Sequence, residues 1–283
     1  MPTQESLHDY YLHQHRNIEN YLELCMIHAE AELVHELRLS IKKLRAFHIL
    51  AEELCPSEME KHIHIKNRVR RLFRIAGQLR DTQVQIHMLV LVQDQSGIDY
   101  PEFSKWLLKR EMKRILRFGR KNLHVLSHAT ADATLQKIGD WLDSASEASI
   151  LTGAGMVLAD LNAKSMKLSA GKMNEQDLHL IRTITKQIKY ILNIMHHSYP
   201  NFKFSGVSVD SLHKIETSVG NWHDNLVRVG LLEKFMGKSR FEEDSQLFPQ
   251  YLDMFKGCKA ELNVAYKEAY RIVRSELLPG EKG

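Results

Sequence analysis

The stretch HELRLSIKKLR, His35 to Arg45, decides how this chain reads. At about 100° per residue, His35, Arg38, Lys42 and Arg45 fall within roughly 80° of one another, while Leu33, Leu37, Ile41 and Leu44 gather on a separate face. The apolar stripe predicts a helix laid on a core. The cationic stripe beside it needs another reason. A face built only for solubility intersperses acids with bases at i,i+4, and here the one acid, Glu36, points elsewhere. The pattern implies an anionic partner.

The pattern returns later in the chain. HELRLSIKKLRAF from His35 reappears as HLIRTITKQIKYI from His179, so that His35 matches His179, Arg38 matches Arg182, Lys42 matches Lys186 and Arg45 matches Lys189. Leu37, Ile41 and Leu44 correspond to Ile181, Thr185 and Ile188, and two of the three stay apolar. GQLRDTQV from Gly77 is then echoed by GNWHDNLV from Gly220, aligning Asp81 with Asp224. Two matching blocks in matching order predict two similar helical units, each with a basic helix followed by a helix carrying a Gly-to-Asp element. Each unit is expected to be a four-helix bundle. The small, Gly-containing segment SAGKMNE, Ser169 to Glu175, reads as the hinge, giving units 1–168 and 169–283.

No segment shows the sustained alternation of a strand, and few prolines or glycines interrupt the helical spacing, so the fold class is all-α. Helices are expected over Ser6 to Glu53 with a break near Ile27, Ser57 to Val92 after Pro56, and Tyr100 to Ser127 beside Pro101. Two shorter ones are expected between Thr130 and Lys164. Asn174 to Ser198, Ser208 to Gly237 and Phe241 to Leu277 complete the set.

A chain of 283 residues with 43% hydrophobic content can bury a substantial core. Its net charge of +4 is modest, so attraction for polyanions must come from where the 39 basic residues sit. Three scattered cysteines, Cys25, Cys55 and Cys258, form no CxxC and suit a reducing compartment. The N-terminal residues lack the charged-then-apolar order of a signal peptide, and no run is apolar enough to span a bilayer. The expected location is the cytoplasm, with no membrane partner.

Two further basic runs, Lys61 to Arg80 and Lys105 to Lys121, flank the first. From them Arg68, Arg71, Lys113, Arg114 and Arg117 are candidates to join the His35 stripe, as is Lys43 on the same helix. The second half offers Lys214 and Lys256, with Lys259 nearby. Crowded cations repel one another in the empty protein, and a chain of phosphates would relieve that repulsion. Arg supplies bidentate donors to phosphate, Lys a point charge, and His a donor strengthened by protonation. Asp81 and Asp224 read as supports that accept hydrogen bonds from Arg or His. Gly77 and Gly220 read as places where that helix approaches its neighbour closely.

Other chemistries have less footing. The close histidine pairs His13 with His15, His62 with His64, and His196 with His197 lack the spacing of a helical zinc motif, so these residues read as surface histidines and no metal is expected. Trp106 and Trp222 read as core. There is no G-x-S-x-G and no P-loop, and no cofactor is implied. A nucleic-acid-binding helical protein remains an alternative, because the same cations attract a DNA or RNA backbone. A phosphohydrolase is a weaker one, since the basic stripes lack metal-binding carboxylates.

The two H-x-x-R-x-x-x-K-x-x-[RK] blocks at His35 and His179, with G-x-x-R-D at Gly77 and G-x-x-H-D at Gly220, resemble the CHAD family, the conserved histidine α-helical domain. The likeness runs over nearly the whole chain. It implies two four-helix bundles related by a pseudo-two-fold axis, a basic central groove or pore that binds inorganic polyphosphate, and no enzymatic activity; association with polyphosphate granules is expected of such a binder. Carried across, the polyphosphate-binding residues are His35, Arg38, Lys42 and Arg45, then His179, Arg182, Lys186 and Lys189. The second unit departs from the family at Gln187, where the first has Lys43. The E-x-E-x-K signature of the CYTH-type domain fused to many members is absent, so the chain resembles a stand-alone binder.

Overall fold

The computed structural model describes residues 6–56, 63–122, 138–237 and 248–278. Among them every regular element is α-helical and there is no strand. Eight long helices follow in order: α1 (Leu7–Ile27), α2 (Ala31–Leu54), α3 (Ile63–Ser96), α4 (Pro101–Asn122), α5 (Glu147–Ala170), α6 (Glu175–Ser198), α7 (Val209–Met236) and α8 (Phe248–Leu277). A short helix at 138–144 precedes α5.

Local chemistry sets these ends. Ser6 caps α1 by accepting from the Asp9 backbone N–H while the Asp9 carboxylate reaches back to the Ser6 N–H, a reciprocal box worth about 1 kcal/mol. Asn174 and Asp177 repeat that arrangement at the start of α6. Ser208 caps α7, which stops at Gly237. The Tyr251 hydroxyl accepts from the backbone N–H groups of Glu102 and Phe103, two donors left over by the first turn of α4.

Two expectations about helix extent change. The second of the helices expected between Thr130 and Lys164 is a long one that continues to Ala170, because nothing breaks it before Gly171 and Ser169 is buried with its hydroxyl donating to the Met166 carbonyl. The link between α5 and α6 is therefore Gly171 to Asn174. The expected starts at Ser57 and Phe241 and the end at Ser127 lie outside the described residues.

The residues gather into two compact units, and each draws on three separate stretches of chain. The first takes Met1–Gln83, Glu111–Leu161 and Gln187–Gly206; the second takes Val84–Arg110, Asn162–Lys186 and Val207–Gly283. The helices α3 to α6 each pass from one unit into the other, while α1 and α2 belong to the first and α7 and α8 to the second. The compact units thus do not coincide with 1–168 and 169–283. Gly and Asn mark where a helix ends, and they say nothing about which helix halves pack together.

In the first unit α1 lies against α2, and Tyr11, Ile18, Leu37, Ile41, Leu44, Phe47, Leu72 and Leu79 are fully buried. Each such side chain contributes roughly 1.5 to 3 kcal/mol by leaving water. Tyr11 stacks on Phe47 with ring centres 4.6 Å apart. In the second unit α7 lies along α8. One core cluster there joins Phe103, Leu107, Leu232, Phe235 and Tyr251, and another joins Leu178, Ile181, Ile215, Val219, Trp222, Ala269 and Val273. Trp222 is core, as its spacing implied, and Trp106 packs against the first of these clusters.

Candidate functional site

Burial of Leu37, Ile41 and Leu44 fixes the roll of α2, and this leaves His35, Arg38, Lys42, Lys43 and Arg45 half-buried at the margin of the core. The α3 segment 67–80 faces them. Arg38 donates from Nη1 to the Phe73 carbonyl oxygen at 3.1 Å, and its guanidinium carbon lies 4.4 Å from the centre of the Phe73 ring. Arg45 approaches the same ring at 4.9 Å. One aromatic ring thus orients two guanidinium groups, each contact worth about 0.5 to 1 kcal/mol.

Gly77 completes this arrangement. A Cβ at Gly77 would collide with Nη1 of Arg38, so the missing side chain makes room for a guanidinium. The expectation of a close helix approach is corrected at Gly220, where an added Cβ meets nothing within 4 Å.

At His35 and Arg45, burial and neighbouring cations act in the same direction. The His35 imidazole is pushed below its ordinary pKa by burial first, then by Arg80 and Lys42, against a smaller opposing pull from Glu32 and Glu36. Arg45 is lowered by burial and by Arg70. Arg80 is itself anchored, donating to the Ala31 carbonyl at 3.1 Å. On α4, Arg114 donates to Gln78 Oε1 at 2.5 Å, while Lys113 and Arg117 are exposed, as are Arg68 and Arg71 on α3.

The second stripe is set differently. Ile181 and Ile188 are buried as Leu37 and Leu44 are, and Thr185 is buried at the Ile41 position despite its hydroxyl. His179 is exposed, with its ring 5.6 Å from that of His223. Arg182 is half-buried, and its Nε is enclosed with no hydrogen-bond partner among the described residues. Lys186 meets Glu216 at 3.8 Å, both side chains about one-fifth exposed. Lys189 belongs to the stretch of α6 that lies in the first unit.

The remaining second-half candidates each face an acid. Lys214 meets Glu276 at 2.9 Å, which raises the lysine pKa and lowers that of the glutamate. Lys256 lies 3.8 Å from Asp253 and Lys259 lies 3.6 Å from Glu233. Of the expected supports, Asp81 is exposed and Asp224 is half-buried, the latter accepting at its backbone oxygen from Gln85 Nε2 at 3.2 Å.

Sequence spacing missed Phe73, Arg80 and Arg70 around the first stripe and Glu216 and His223 around the second. The signal was there in part: Arg80 and His223 occupy the same place in the two Gly-to-Asp elements. The reading of the paired histidines as surface residues is corrected at His15. It lies on the core side of α1 with Tyr11 and Ile18, and burial holds its pKa at about 4. Among the described residues no cluster of three metal-ligating side chains occurs, and no helix is long and apolar enough to cross a membrane. A separate cleft of about 380 Å³ lies in the first unit beside His8 and Asp143, and none of the stripe residues lines it.

Solved structures resemble this one, among them the following two. The CHAD domain from the plant Ricinus communis superimposes with a TM-score of 0.65 at 15% identity, over 98% of this chain and 93% of that one. PptA from Streptomyces chartreusis gives a TM-score of 0.62 at 14% identity, over 96% of this chain and 99% of that one. At such identities the likeness speaks for the fold alone. No curated protein matches the chain. The CHAD domain family model matches residues 10–233, a span that holds both basic stripes and both Gly-to-Asp elements, and the chain therefore belongs to the CHAD domain family.

Proposed function

We propose that this protein binds inorganic polyphosphate through the stripes at His35 and His179 and carries out no chemistry on it. The observation that carries this reading is the gathering of cations along α2 and α3, where Phe73 orients Arg38 and Arg45, and where burial first, then Arg80 and Lys42, disfavour the charge on His35, as burial and then Arg70 disfavour that on Arg45. An anion with repeated charges entering there would relieve the repulsion among these cations. The guanidinium groups of Arg38 and Arg45, oriented by Phe73, supply planar donors suited to phosphate oxygens. Family membership adds its weight, since the resemblance implies a basic groove for polyphosphate. Lys43, Arg68, Arg71, Lys113, Arg114 and Arg117 extend the positive field. Lys214 and Lys256, each beside an acid, contribute least.

Nucleic acid is the second reading, since phosphate diesters meet the same cations. Polyphosphate is favoured because the two stripes offer phosphate donors, and neither sets out aromatic side chains at a spacing that would stack successive bases. The test is competition. Labelled long-chain polyphosphate bound to the full chain should resist displacement by an equal phosphate concentration of duplex DNA and of orthophosphate, and EDTA should leave binding intact. Displacement by DNA at equal or lower phosphate concentration would favour the second reading, and steady phosphate release would point to an enzyme. Association with polyphosphate granules in the cytoplasm is part of the proposal, and co-localisation of a fluorescent fusion with granules tests it.

A further inference from the structure

The two Gly-to-Asp elements share a register, and four residues before each glycine the chain carries different chemistry: Phe73 before Gly77, and Glu216 before Gly220. Both positions serve the stripe that faces them. Phe73 offers its ring to Arg38 and Arg45, a surface that orients cations and leaves their charge in place. Glu216 offers a carboxylate to Lys186, the counterpart of Lys42, at 3.8 Å. The position three residues past the glycine diverges in the same sense. Arg80 adds charge beside His35, whereas His223 sets an imidazole beside His179.

From this divergence we infer that Glu216 is a built-in competitor for phosphate, an internal anion that occupies Lys186, weakens the hold of the second stripe on polyphosphate and speeds its release. This rests on the polyphosphate reading. For a phosphate to reach Lys186 at contact distance, the lysine must leave Glu216 or accept an acid beside the incoming anion. Either costs binding energy, and the register-equivalent residue Phe73 presents a ring where Glu216 presents a carboxylate. Glu216 acts through Lys186 and is a positioning residue, and its effect is the coupling between the two.

The experiment compares long-chain polyphosphate binding to the full-length protein as wild type, E216Q, K186Q and the double variant, each over a series of salt concentrations. E216Q should bind three- to tenfold more tightly, with slower dissociation, and the slope of log K against log salt should steepen by about 0.7, the increment for one more phosphate neutralised by analogy with single strands. In the K186Q background the same change should matter less than twofold, because the lysine it competes for is gone. The converse substitution, Phe73→Glu, should weaken binding at least tenfold, and Phe73→Leu should weaken it less. Unchanged or weaker binding by E216Q overturns the inference while leaving polyphosphate binding in place. A gain that persists in full without Lys186 also overturns it, since Glu216 would then act as diffuse charge. A wild type that does not bind polyphosphate at low salt overturns the reading beneath it as well.

Discussion

Arg38 and Gly77 occupy one volume: the guanidinium of the first lies where the second would carry a Cβ. The absent side chain, the Phe73 carbonyl that accepts from Nη1 and the Phe73 ring each help to hold the arginine there. Gly220, which aligns with it in sequence, faces open space instead. The same glycine in the same motif therefore has two consequences, and alanine at each position separates them.

Gly77→Ala should push the Arg38 guanidinium off the Phe73 ring and weaken polyphosphate binding by about tenfold, one charge-assisted contact of roughly 1.5 kcal/mol. Gly220→Ala should leave binding unchanged and stabilise the protein by about 0.5 to 1 kcal/mol, because alanine loses less backbone entropy in a helix. Binding isotherms and chemical denaturation of the two variants check this. Equal effects at the two glycines would contradict the packing described here.

The pH dependence of binding should report His35. Burial, Arg80 and Lys42 hold its pKa below the ordinary 6.5 in the empty protein, and a bound phosphate opposes the repulsive part of that shift. The bound-state pKa is then the higher of the two, so binding takes up a proton and affinity rises as pH falls from the bound value toward the empty one. Titrating polyphosphate across this range, with His35→Gln as comparison, should show a steeper rise for the wild type. An identical profile in the variant would assign the dependence to another group.

His15 should govern acid stability instead. Its folded pKa of about 4 lies below the ordinary 6.5, so its contribution is fully present above pH 6.5 and is lost as pH falls toward 4, where the unfolded chain takes a proton that the folded one does not. The loss amounts to roughly 3 kcal/mol by the usual conversion of pKa difference to free energy. Urea midpoints measured between pH 7 and 4 should fall accordingly, and His15→Leu should flatten the curve.

These residues also mark how far the sequence could be read. The α2 stripe was legible because its two faces follow one helical period, and Leu37, Ile41 and Leu44 are buried where that period puts them. The family was legible because the two histidine-led blocks preserve residue types at fixed spacing in the sequence. His15 was not legible as core: a histidine four residues after Tyr11 looks polar until the neighbouring helix supplies Phe47 and His48 around that tyrosine. Nor was the division of α3 to α6 between two compact units, because helical periodicity describes a local face and carries no record of which distant segment covers it. Phe73 and Glu216 were hidden for a related reason. Their role depends on α3 and α7 presenting the residue one turn before the glycine to the basic helix, which is a fact of packing.

The two stripes can be tested for joint action by reversing their charge. Arg38→Glu with Lys42→Glu should remove two donors from the first stripe, and Arg182→Glu with Lys186→Glu two from the second. At roughly 1.5 to 3 kcal/mol for each charge-assisted contact, either pair should cost at least tenfold to a hundredfold in polyphosphate affinity even with partial compensation. Lys164 and Lys167, both exposed on α5, serve as the control, and their reversal removes the same formal charge while leaving both stripes whole. Affinity should also fall steeply with salt for the wild type and less steeply for either stripe variant, because fewer phosphates are then neutralised. Circular dichroism must show the same helical content in every variant, since a protein that fails to fold also fails to bind. If the control pair weakens binding as much as either stripe, the protein attracts polyphosphate as a diffuse polycation, and the paired histidine-led stripes are not its site.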